Sequence, residues 1–146
     1  MSNLSIRSPQ KDDEWQQYYQ LRWQLLRAPW QQPEGSEKDS LEDNAIHRAI
    51  ITGEKIIAVG RAHFLDKTTA QFRYMAVDTD YQQQGFGSKL LLALEQAANS
   101  AGAKTIYLNA RENALEFYQK RDYIILEPAE TLFDAIKHFK MQKSLD

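Results

Sequence analysis

Tyr74-Met75-Ala76-Val77-Asp78-Thr79-Asp80-Tyr81-Gln82-Gln83-Gln84-Gly85-Phe86-Gly87-Ser88-Lys89-Leu90-Leu91 reads as a strand that runs through a glycine turn into an amphipathic helix. Gly85 and Gly87 leave the backbone bare where the helix begins, and the first N–H groups of a helix have no partner within it. With about half a positive charge from the helix dipole, the amides of Gln83 to Ser88 suit an anion such as a pyrophosphate, without help from lysine or arginine. The alternative is that the two glycines only permit a tight connection. Three consecutive glutamines, Gln82, Gln83 and Gln84, and the lack of a flanking proline or asparagine weigh against it. Leu90 stands where a dinucleotide fold needs a third glycine, and Lys89 follows Gly87 by two, off the P-loop spacing.

On either side of this stretch the chain alternates short strands with helices. Leu4 to Ser8 alternates as a strand, Pro9 ends it, and a helix follows from about Asp12 to Arg27 with Asp12, Asp13 and Glu14 in its first turn. Trp15, Tyr18, Tyr19, Leu25 and Leu26 form one stripe at helical spacing. Arg22 falls within it, either as an ion-paired structural residue or facing a cleft. Residues 28–43 are a loop by composition, rich in proline and acid. Asn44 to Thr52 and Lys55 to Leu65 read as a hairpin about Gly53-Glu54, with Ile57, Val59, Arg61, His63 and Leu65 on one face. Ala70 to Asp78 is the strand entering the glycine turn. The helix after it carries Phe86, Leu90, Leu94, Ala97 and Ala101 on its core side and closes at Gly102. Lys104 to Ala110 is a strand, residues 112–121 a helix, and 123–126 and 135–141 a final pair of strands. The order predicts an α/β fold in which a mixed, mostly antiparallel central sheet is flanked by helices.

With 146 residues, 42% hydrophobic and 26% charged, the chain is expected to form one globular domain over 1–146. A net charge of −2 argues against nucleic acid as partner, and no apolar run is long enough for a membrane span. The absence of cysteine excludes disulfides, a thiolate metal site and a cysteine nucleophile; no metal is expected. No secretory signal is visible, so the cytoplasm is the expected location.

Gln82-Gln83-Gln84-Gly85-Phe86-Gly87, after the strand end Met75-Ala76-Val77-Asp78, resembles the Q/R-x-x-G-x-G/A signature of the GNAT superfamily of acyl-CoA N-acyltransferases. Downstream, Asn113-Ala114-Leu115-Glu116-Phe117-Tyr118-Gln119-Lys120-Arg121-Asp122-Tyr123 is similar to that family's N-A-x-x-F-Y-x-K-x-G-[FY] block. The likeness is specific from about Gln71 to Tyr123. It implies that acetyl-CoA is the cofactor, and that the strands ending at Asp78 and Ala110 run parallel and splay apart to admit the pantetheine. Met75, Ala76 and Val77 would align it, the Val77 amide would polarise the thioester carbonyl, and Asn109 and Asn113 would bond the pantetheine amides or the acceptor.

Acetyl transfer to an amine also needs a base for the amine and a proton for the departing thiolate. Tyr118 is the expected acid. Gln71 occupies the position where histone-type members carry a glutamate and cannot accept a proton, so the base stays open among His63, Glu34, Glu42, Glu112 and a water chain. His138-Phe139-Lys140-Met141 resembles the H-x-x-M final strand of small bacterial members, which makes His138 another candidate acid or base. Asp122 replaces the family's usual glycine and is expected to hold a left-handed turn. The implied activity is direct acetyl transfer to a primary amine of a small molecule or peptide. The alternative is an acyl-CoA-binding sensor or interaction module without turnover. The acids of 34–43 suggest a cationic acceptor. A homodimer is left open, with Trp23 and Trp30 either at its interface or within the monomer.

Overall fold

The structure, a computed structural model, describes residues 4–145. Its strands and helices run in the order β1 (Leu4–Arg7), α1 (Asp12–Leu26), β2 (Ile46–Thr52), β3 (Lys55–Phe64), β4 (Thr69–Val77), α2 (Phe86–Ser100), β5 (Thr105–Arg111), α3 (Leu115–Gln119), β6 (Ile124–Pro128) and β7 (His138–Ser144). One seven-stranded sheet has the order β1-β2-β3-β4-β5-β7-β6. Only β4 and β5 are parallel; the other neighbours are antiparallel. This is the mixed, mostly antiparallel sheet that the element order predicts.

The start of α1 is fixed by charge. Glu14 accepts the backbone N–H groups of Gln10 (2.9 Å) and Lys11 (3.2 Å) and pairs with both terminal nitrogens of Arg7 (2.8 and 3.0 Å). It thereby satisfies donors that the first helical turn leaves open. On one face of the sheet, Tyr18 and Leu21 of α1 pack on Ala49, Ile51, Ile56 and Val59. On the other, Leu90, Leu91, Leu94 and Ala98 of α2 cover Ile50, Ile57, Ala58 and Ala62. Each such leucine or isoleucine contributes about 1.5–3 kcal/mol by leaving water. Gly60 lets α2 come this close, since a Cβ there would stand 2.8 Å from Leu94 Cδ1.

Two bulges change what strict alternation predicts. Ile50 pairs with Ala58 but Ile51 pairs with Ile56, so Ile57 is an extra residue on β3. Ile57 therefore joins the α2 side while Val59 faces α1, and the expected single face from Ile57 to Leu65 is broken. The second bulge is in β4, where Val59 faces Ala76 but Arg61 faces Arg73. Tyr74 within it has a φ of 58°.

The expected helix over 112–121 is a 3₁₀ turn, Glu112–Ala114, followed by the single turn of α3. Asp122 ends it at φ 73°, with Asp122 N–H on Gln119 O (3.2 Å) and Tyr123 N–H on Tyr118 O (3.1 Å). This is the left-handed turn expected of Asp122. The last strand begins at His138 rather than Ala135, because Leu132 N–H and Ile136 N–H bond within a tight turn to Ile136 O and Leu132 O.

Candidate active site

β4 and β5 pair only from Thr69 to Phe72 against Thr105 to Leu108. Beyond that point the bulge at Tyr74 turns β4 away, and a cavity of about 270 Å³ opens between the strands. Its walls are Gln71 to Met75 of β4 and Leu108 to Arg111 of β5, with Arg27 from the end of α1, Tyr118 of α3 and His138 of β7. Side chains from both faces of the sheet thus meet in one gap. At the end of β4, Asp78 N–H bonds to Ile57 O on β3 at 2.8 Å. Neighbouring residues of a strand point their peptide groups to opposite sides, so Val77 N–H points toward the gap.

Below the gap lies the glycine turn. Gly85 has φ 87°, a left-handed value suited to glycine, and caps α2. The first bond into the helix is Lys89 N–H to Gly85 O at 3.2 Å, so the N–H groups of Phe86, Gly87 and Ser88 precede it, at the positive end of a 15-residue helix. Gln82 and Gln84 brace the turn by donating from Nε2 to Val77 O (3.0 Å) and Asp80 O (3.3 Å). Gln83 takes the left-handed φ of 62°. Sequence reading missed Arg121. Its Nε donates to Ser88 Oγ at 3.2 Å, Nη1 donates to Phe117 O at 2.7 Å, and its guanidinium stacks on Phe117. This adds a fixed cation beside the helix start. The Q-K-R-D run gave no signal of it, because the contact depends on the turn after α3 folding back toward α2.

Tyr118 and His138 line the same cavity. The Tyr118 hydroxyl donates only to the Met75 thioether at 3.6 Å, a weak acceptor that leaves the proton easy to redirect. Burial pushes the phenol up to about 12, with Arg111 and Arg121 opposing, so it holds its proton at neutral pH. His138 is 9% exposed. Its Nδ1 lies 3.0 Å from Ile136 O. A carbonyl oxygen can only accept, so in the neutral ring Nδ1 carries the hydrogen and Nε2 the lone pair, with the Glu130 backbone also close to the ring. Burial lowers the His138 pKa below the ordinary histidine value, and the Ile136 carbonyl only partly offsets this. The ring is therefore neutral at pH 7.

Residues 15–123 match the model of the Acetyltransferase (GNAT) family. The chain belongs to this GNAT acetyltransferase family. The uncharacterized N-acetyltransferase YjcF of Bacillus subtilis (strain 168) is 33% identical over 111 residues, spanning 76% of this chain and 79% of that protein. Among solved structures, a putative N-acetyltransferase from Lactobacillus plantarum superposes with a TM-score of 0.83 at 18% identity, covering 99% of each chain. An aminoglycoside 6'-N-acetyltransferase complexed with coenzyme A gives 0.82 at 17% identity, over 98% of this chain and 97% of that one. The GNAT fold is thus shared along nearly the whole chain, and the protein is an acetyl-CoA-dependent N-acetyltransferase.

Other expected site residues of this acetyltransferase fall differently. Met75 and Asn109 line the cavity, whereas Asn113 is exposed and lies outside its wall. Ala76 packs toward α1 and Val77 toward α2. His63 does not line the cavity: its Nδ1 lies 3.1 Å from Arg61 Nη2, and burial followed by the Arg61 charge lowers its pKa. His63 thus stands apart from the cavity that Tyr118 and His138 share. Glu112 also lies outside the cavity wall, and Glu34 lines a separate shallow depression beside α1.

Of the acids in the 34–43 loop, Glu37, Asp39 and Glu42 turn inward, while Glu34 and Asp43 stay exposed. Glu42 Oε2 accepts Arg22 Nη1 (3.0 Å) and Arg61 Nη1 (2.8 Å), and Asp39 Oδ1 accepts Arg61 Nη1 at 2.6 Å. Arg22 and Arg61 are fully buried, so Arg22 is the ion-paired structural residue of its two readings. Burial raises the Asp39 carboxyl, but the bonds from Arg61 and from Leu41 N–H outweigh it and hold the group well below the usual carboxylate range. Trp23 donates Nε1–H to Gln32 O at 3.0 Å, and Trp30 stacks on Phe133; both have partners within the chain. Among the described residues no helix is long and apolar enough to cross a membrane.

Proposed function

We propose that this acetyltransferase moves the acetyl group of acetyl-CoA directly to a primary amine of a small molecule or peptide, with both substrates bound together. The observation that carries this reading is the single gap between β4 and β5, which opens to both faces of the sheet and is lined by Tyr118 and by His138. A thioester entering along β4 and an amine entering from the side of Arg27 would meet there.

The pyrophosphate rests on the N–H groups of Phe86, Gly87 and Ser88, with Arg121 beside them. The neutral amine nitrogen attacks the thioester carbonyl carbon, and His138 Nε2 takes the proton that the nitrogen sheds as the carbon–nitrogen bond forms. Charge that develops on the carbonyl oxygen is met by Val77 N–H. As the intermediate collapses, the carbon–sulfur bond breaks and the thiolate takes the Tyr118 hydroxyl proton. The proton held on His138 returns to the phenolate through water, which leaves an amide, CoA thiol and an unchanged enzyme.

The test is Tyr118→Phe, assayed by CoA thiol release with an amine panel. A positioned acid contributes about 10²–10⁴-fold, so kcat should fall by at least about 10²-fold. The rise in melting midpoint with acetyl-CoA should survive, since a ligand of the native state stabilises it according to its affinity. Undiminished turnover in Tyr118→Phe would remove the hydroxyl from the mechanism.

A further inference from the structure

Three guanidiniums line the cavity, those of Arg27, Arg73 and Arg111, against one carboxylate, that of the exposed Glu130. Arg73 Nη1 reaches Asp39 Oδ2 at 3.3 Å, but that carboxylate is shared with the buried Arg61. Arg27 donates to the Ser36 and Leu26 carbonyls at 3.2 and 3.0 Å and lies against the rings of Tyr74 and Phe133; it has no carboxylate partner among the described residues. Arg111 makes neither an ion pair nor a side-chain hydrogen bond among them. Burial lowers the Arg111 pKa, and the charge of Arg27 lowers it further. Two half-buried cations that repel one another across a cavity lack an anion. The phosphates of the cofactor do not supply it, because no residue of the glycine turn lines this cavity.

We propose that the acceptor is an amine that also carries a carboxylate, an amino acid or a small peptide, whose carboxylate is bound by Arg111 together with Arg27. This rests on the transfer reaction proposed above and names its substrate class. The planar guanidinium offers paired donors matched to the two oxygens of a carboxylate. A second cation lining the same cavity adds attraction and would disfavour polyamines. The basic wall reverses the cationic acceptor that the acidic loop suggests, because Asp39 and Glu42 of that loop are already bonded to arginines.

The experiment compares kcat/KM for several L-amino acids, their carboxamides, their decarboxylated amines, phosphoethanolamine and spermidine, with the whole protein and acetyl-CoA. Carboxylates should exceed their carboxamides by about tenfold or more. In Arg111→Gln that ratio should fall toward one, mainly through a higher KM for the acids. Arg27→Gln repeats the test if Arg111→Gln does not fold, and an acetyl-CoA melting shift reports the fold of each. Preference for spermidine, for the carboxamides or for phosphoethanolamine would overturn the carboxylate assignment while leaving acetyl transfer intact. So would a carboxylate preference that survives both substitutions. If acetyl-CoA binds but no amine of any charge is acetylated, the transfer reading fails and this inference falls with it.

Discussion

Glu42→Ala is the sharpest test of how the loop over 34–43 is held. One oxygen, Oε2, accepts Arg22 Nη1 at 3.0 Å, Arg61 Nη1 at 2.8 Å and Asp39 N–H at 3.0 Å, and both arginines have no exposed surface. Each pair at an effective dielectric of 20 has about 4 kcal/mol of attraction at 4 Å, most of which offsets the loss of water around the charges. Removing the shared partner leaves Arg22 with no carboxylate, only the Glu37 carbonyl and the Tyr18 hydroxyl at 3.1 and 3.3 Å and the faces of Tyr18, Tyr19 and Tyr74. Breaking one buried pair typically costs about 3–5 kcal/mol. That is about a fifth or more of the usual total of about 5–15 kcal/mol for a domain. Equilibrium urea unfolding should show this loss as a lower midpoint at constant slope. The exposed neighbour Asp43 forms no ion pair among the described residues, so Asp43→Asn should stay within about 0.5 kcal/mol. A loss below about 1 kcal/mol in Glu42→Ala would refute the idea that this carboxylate is the counter-charge of both buried arginines.

For His138, the lowered folded pKa means that the neutral, proton-accepting form predominates above it and is lost as pH falls through it. The acid limb of kcat should therefore have its midpoint below 6.5, and it should vanish from the residual activity of His138→Gln; a midpoint at or above 6.5 contradicts the assignment. Gly60→Ala forces a methyl group to within 2.8 Å of Leu94 Cδ1 and 3.3 Å of Met75 Cγ. Because a leucine end can yield, calorimetry should show a loss near the lower end of the roughly 1–3 kcal/mol of overpacking, or about 2–4 °C in Tm for a chain of this size.

Element types and their order were legible because hydrophobic period and turn residues are local signals, as at Gly53-Glu54 and Gly85. The bulges at Ile57 and Tyr74 were not: each is decided by register with a partner strand, and no residue of either run marks it. Among candidate site residues, the glycine turn, Tyr118 and His138 belong to short motifs and were readable as such. Arg27, Arg73 and Arg111 come from the end of α1, from β4 and from β5, and they line one cavity only once the sheet is assembled. The acids of 34–43 misled for a related reason: a run of carboxylates looks solvated until two arginines from other elements are seen beneath it.

The divergence of β4 and β5 also bears on the life of the protein before it meets its substrate. A sheet normally has two edges, but here the parting of two central strands exposes a second pair of backbone edges in its middle, and unpaired edges invite pairing with other chains. On the proposed reading, the amide-bearing pantetheine arm would occupy that space much as a short extra strand would, making CoA a plug as well as a reagent. The empty protein is accordingly expected to self-associate sooner than the loaded one. Light scattering of the two forms, held at equal distances below their own melting midpoints, would separate this effect from simple stabilisation; equal onset would show that the open edges are harmless.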